Sequence, residues 1–134
     1  MVRATSAARF ALLALALGVF ACSSPDSQLQ DQQKALRGLH ASTTAVGDAW
    51  VHGDASPTYV RTALQQTLQL LDKQRASLNA SPQLLLDPRG IALSRDAEQL
   101  SRTLAALIQD ARARDTAAAR QHLAEVPAIT GSGQ

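Results

Sequence analysis

Residues 57–78 read PTYVRTALQQTLQLLDKQRASL, and their spacing decides the fold class. Val60, Leu64, Thr67, Leu71, Gln74 and Leu78 follow one another in alternating steps of four and three. With about 3.6 residues per turn, that rhythm draws one stripe down a helix; a strand would alternate at every second residue. Leu, Gln, Ala and Arg fill the run, and all are good helix formers. Ser56-Pro57 supplies a capping hydroxyl and a proline whose fixed φ suits the first helical position. Asn79-Ala80-Ser81-Pro82 breaks the run at its other end.

The same rhythm recurs on both sides. From about Ser27 to His52 it passes through Leu29, Gln32, Leu36, Leu39, Thr43, Val46 and Trp50. From Pro88 to about Arg112 it passes through Leu93, Ala97, Leu100, Leu104, Leu107 and Ala111. Ala35, Leu68, Leu70, Ala105 and Ile108 widen the stripe beyond a two-stranded seam, which favours a bundle. Gly53 can end the first helix in the left-handed conformation, and Asp87-Pro88 repeats the cap-and-proline start. Asp115-Thr116 offers a cap for a short fourth helix with Ala119, Leu123 and Val126 facing inward; alternatively the third helix runs straight through to Glu125. Short connections make neighbouring helices antiparallel. The expectation is an all-α antiparallel bundle of three long helices with a short fourth, over residues 27–126. Residues 127–134, with Gly, Ser and Pro, read as a frayed tail.

Ahead of the bundle stands a different kind of segment. Arg3 and Arg9 precede an apolar run from Phe10 to Phe20, then Ala21, the only cysteine, Cys22, and polar Ser23-Ser24-Pro25-Asp26. A basic start, a short apolar stretch and a small residue describe a secretory signal peptide. The run is shorter than the roughly 20 residues a bilayer span needs. Val19-Phe20-Ala21-Cys22 resembles the bacterial lipobox. That resemblance implies cleavage after Ala21 and acylation of Cys22, with residues 22–26 as a lipid-anchored linker. Each buried CH₂ contributes about 0.8 kcal/mol, so two or more chains anchor stably where one does not. It also implies an envelope protein resembling small helical-bundle lipoproteins. Ser23 stands where Asp would favour the inner membrane, so the outer membrane, facing the periplasm, is favoured. With a lone cysteine, no disulfide can form within the monomer.

Removing residues 1–21 changes the chemistry of the rest. It takes Arg3 and Arg9 and no acid, leaving eleven basic and eleven acidic groups. The basic excess that nucleic-acid binding would need is gone. Phe10 and Phe20 leave too, so Trp50 and Tyr59 are the remaining aromatics, too few for a stacking platform.

Candidate sites are sparse. Asp48 and His52 share a helix face, with Asp54 just beyond, but a metal centre usually needs three or four converging ligands; they read as a surface polar cluster. The helical plan and the Asp115…His122…Val126 rhythm look similar to the four-helix cytochromes of the c-prime type, which keep a haem-ligating His late in the last helix after a Cys-x-x-Cys pair. Here Ala118-Ala119-Arg120-Gln121 precede His122 and the only methionine is Met1, so no cofactor is expected and His122 reads as a solvated helix-end residue. Asp72 with Lys73 and Arg75, and Asp110 with Arg112 and Arg114, read as solvated faces. No Gly-x-Ser-x-Gly setting or Gly-rich phosphate loop occurs, so no catalytic residue is assigned and enzymatic function is not expected. Trp50 and Tyr59 flank the first turn and are expected to meet there as an apolar plug. Leu84-Leu85-Leu86, in the second connection, forms either a lid or short helical turn, favoured here, or an exposed contact patch. The sequence therefore suggests a lipid-anchored envelope protein that binds an unknown envelope partner. A ligand or cofactor carrier, with His122 or His40 turned into a core pocket for haem or lipid, is the alternative.

Overall fold

Four of the chain's five prolines follow a Ser or Asp, and each of those four pairs opens a helix. The computed structural model describes residues 24–126. The signal-like segment 1–21, Cys22 and the tail 127–134 lie outside the described residues. The described chain is all-helical: α1 Pro25–Val51, α2 Pro57–Asn79, α3 Pro82–Leu86, α4 Pro88–Ala113 and α5 Thr116–Ala124. Ser24, Ser56, Asp87 and Asp115 each accept a hydrogen bond from a backbone N–H of the first turn, satisfying one of the donors a helix start leaves open. α1 starts at Pro25, two residues before the apolar stripe would place it, because the Ser24 hydroxyl and Pro25 set the start.

Two helix ends use the same device with different residues. At Gly53 (φ 82°) the Gly53 N–H bonds to the Trp50 carbonyl and the Asp54 N–H to that of Ala49. At Arg114 (φ 55°) the Arg114 N–H bonds to Ala111 and the Asp115 N–H to Asp110. Both are Schellman closures, which need a left-handed residue and usually recruit Gly. Arg114 closes α4, and α5 is a separate helix.

Most of each apolar stripe is buried, with Leu39 and Val46 of α1 half-buried against the core. Leu29, Leu36 and Trp50 from α1, Val60, Leu64, Leu71 and Leu78 from α2, and Leu93, Ala97, Leu100, Leu104, Leu107, Ile108 and Ala111 from α4 form one core. Ala119 joins from α5, with Leu123 and Val126 partly buried against it. The stripe is narrower than expected on two helices: Leu70 and Ala105 are exposed. Thr43 and Thr67 occupy stripe positions without orphaned hydroxyls, because each donates to the carbonyl one turn back, Leu39 at 2.8 Å and Ala63 at 2.9 Å.

Polar contacts fix which ends meet. Gln74 near the end of α2 donates to Gln32 near the start of α1, and Gln32 donates to Ser77 Oγ at 3.1 Å. Arg89, in the first turn of α4, pairs with Asp26, in the first turn of α1, at 2.7 Å. The start of α1, the end of α2, α3 and the start of α4 thus gather at one end, the near pole. At the far pole α5 lies along the end of α1: Leu123 packs against Gly47, and Arg120 donates to the Val51 carbonyl at 3.2 Å.

Candidate functional site

The near pole joins the start of α1 to the continuous stretch that runs from the end of α2 through α3 into α4; Asp26 and Arg89, which meet there, are 63 positions apart. Asp87 is its pivot. Its backbone ends α3, and its carboxylate caps α4 through the Arg89 N–H at 2.9 Å. The Arg89 side chain folds back onto the same carboxylate, at 3.2 Å from Nε and 2.8 Å from Nη2, and reaches Asp26 with Nη2. Hydrogen bonding from Arg89 holds the Asp87 carboxyl below the usual carboxylate range. Asp87 first, and then Asp26, hold the Arg89 guanidinium more firmly protonated than usual. One cation thus serves two carboxylates.

Above this cluster α3 crosses the start of α4 at very close range. A Cβ on Gly90 would fall inside the Leu84 carbonyl, so only glycine fits there. That approach splits the leucine triplet. Leu84 is 2% exposed and belongs to the core, Leu85 is half-buried, and Leu86 is 83% exposed. The triplet is a short helical turn, and Leu84 is turned away from any contact patch. Consecutive positions on a helix point about 100° apart, so the three must diverge, but five residues are too few to show a period that says which of them faces inward.

The other candidate residues lie elsewhere. Asp48 and His52 are exposed at the end of α1, and His52 Nδ1 lies 2.7 Å from the Asp48 backbone carbonyl, not its carboxylate. Among the described residues no group of three or more His, Cys, Asp or Glu side chains could hold a metal ion. Trp50 is buried and Tyr59 is 62% exposed, so the two rings do not close the first turn together. Trp50 belongs to the core, and Val46, Val51 and Ala55 are partly buried against that core.

His122 and Asp110 correct a second expectation. Neither is fully solvated: His122 is half-buried, Asp110 is buried, and His122 Nδ1 lies 2.5 Å from Asp110 Oδ2. The pair spans the α4–α5 turn twelve positions apart, beyond any single-helix spacing rule. His122 also lines an open cleft with Gln99, Arg102, Thr103, Ala106 and Glu125. His40 is half-buried on α1. Asp96 is buried as well, and it is partnered. No helix among the described residues is long and apolar enough to cross a membrane. No protein-family model, curated protein or solved structure matches the chain.

Proposed function

We propose that this chain is a lipid-anchored, periplasm-facing envelope lipoprotein with a binding or structural role rather than a catalytic one. In this reading residues 22–126 stand on the outer membrane as an antiparallel bundle of three long helices, edged by α3 and α5. The pairing of α1's start with α2's end through Gln32, Gln74 and Ser77 supports the antiparallel arrangement. The observation that carries the function is the position of Cys22. It ends a lipobox-like Val19-Phe20-Ala21-Cys22 and lies three residues before a capped, proline-started helix. Three residues span at most about 11 Å, so an acyl anchor on Cys22 would hold the folded body against the bilayer without a stalk. The body would then meet its envelope partner at the membrane surface.

The test is metabolic labelling with a palmitate analogue followed by membrane fractionation. The native chain takes up label and sediments with outer membranes. Cys22→Ser loses the label and stays unprocessed or soluble. An unlabelled native chain, or a C22S chain that is still processed and retained on outer membranes, would defeat the reading.

A further inference from the structure

The near pole carries an apolar side chain that the fold leaves uncovered, at the end where the chain leaves for Cys22. We infer that this pole rests on the bilayer, with Leu86 seated in the lipid interface beside the acyl anchor. This inference rests on the reading of Cys22 as the anchor.

Three observations converge on it. The first is position. Asp26 is four residues from Cys22, and its carboxylate is 2.7 Å from Arg89 Nη2. Arg89 is also 2.8 Å from Asp87, the residue next to Leu86. Covalent reach and two ion pairs therefore keep Leu86 and the attachment point at one end of the molecule. The second is exposure. Leu86 is the most exposed large apolar side chain among the described residues, and Ile91, in the first turn of α4, is 45% exposed at the same pole. Leu84 on the same short helix is buried and pinned by the Gly90 approach, so Leu86 is held outward by a fixed backbone. The third is charge. One Arg89 guanidinium between two carboxylates leaves this cluster with a net negative charge, so it does not draw the pole to anionic headgroups and any seating here rests on the apolar side chains. Contact here is apolar, with side chains seated about 5–10 Å into the headgroup–acyl boundary, as for interfacial helices.

The test uses fluorescence on vesicles. The full chain is expressed as Leu86→Trp and as Tyr59→Trp, the latter an exposed site at the start of α2, the helix end opposite the near pole. Trp50, buried in the core, gives a constant background. Each protein is purified from membranes, weighed by mass spectrometry and reconstituted into phosphatidylethanolamine–phosphatidylglycerol vesicles containing brominated lipid. L86W emission shifts to the blue and is quenched, Y59W emission is not, and the difference persists as the phosphatidylglycerol fraction is varied.

Mass spectrometry reads the anchor separately. If Cys22 carries no lipid, the same chains are tethered by coupling its thiol to a maleimide lipid, and the quenching is read again. L86W that stays water-like while the protein is vesicle-bound overturns the inference. So does L86W that becomes shielded only after envelope protein extract is added, which would make the pole a protein-docking surface. Equal quenching of L86W and Y59W would overturn it as well.

Discussion

The two poles of the molecule are closed by opposite means. At the near pole backbone meets backbone: the Leu84 carbonyl sits where a Gly90 Cβ would be, and an arginine shared by Asp26 and Asp87 ties the ends. At the far pole side chain meets backbone: Leu123 covers Gly47, and Arg120 donates to the Val51 carbonyl. Side chains can shift rotamer and backbone cannot, so the near pole is the rigid end and the far pole the adaptable one. A rigid pole holds an exposed leucine in a fixed direction, whereas an adaptable pole would let it fold inward.

That contrast can be broken or sharpened by substitution. The largest effect belongs to Leu84→Ala, which deletes a core side chain and costs about 3 kcal/mol. Its neighbour Leu86→Ala stays within about 0.5 kcal/mol, as expected for a surface site. Urea unfolding of the two variants measures both, and similar midpoints would mean that α3 does not separate inside from outside. Next is the glycine pair. Gly90→Ala must move α3 off α4 and costs about 2 kcal/mol, in the overpacking range. Gly47→Ala meets only the end of Leu123 and costs less than about 1 kcal/mol. If G47A proves the worse, the far pole is the stiff one.

The smallest effect is acid sensitivity at the near pole. Asp87 in the fold titrates below its unfolded value of about 3.9. Its contribution to stability is therefore fully present above that value and is lost as pH falls through the lower, folded one. Asp87→Asn keeps a capping oxygen and removes the charge, so its acid-unfolding limb is flatter than that of the native chain below about pH 4. Parallel limbs would show that the Arg89 cluster does not tie this pole.

Much of this was legible in the sequence because it rests on local rules. The four-three spacing marks the buried stripes of α1, α2 and α4, and Ser56-Pro57 and Asp87-Pro88 mark helix starts by cap chemistry. The same signature at Ser24-Pro25 sets the start of α1 ahead of the first apolar stripe residue. What sequence does not carry is direction across gaps. Leu84 and Leu86 are identical residues two positions apart, and only the path of α3 over Gly90 separates them. Asp110 sits among arginines and reads as solvated, yet a ring from the next helix covers it. Tyr59 follows a proline start that turns it outward, away from Trp50. The partner or ligand was not legible at all, since no constellation of chemically active residues was there to be read.

Arg114 also fixes the height of the molecule. Run straight from Pro88 to Ala124, the last helix would measure about 55 Å, against about 40 Å for the 27 residues of α1. The surplus would project beyond the far pole with nothing to pack against. One residue held in the left-handed conformation folds that length back onto α1, and the substituent that makes Arg114 an uncommon choice there costs about 1–2 kcal/mol. If the chain stands on a membrane at its near pole, this single dihedral limits how far the body reaches into the space above.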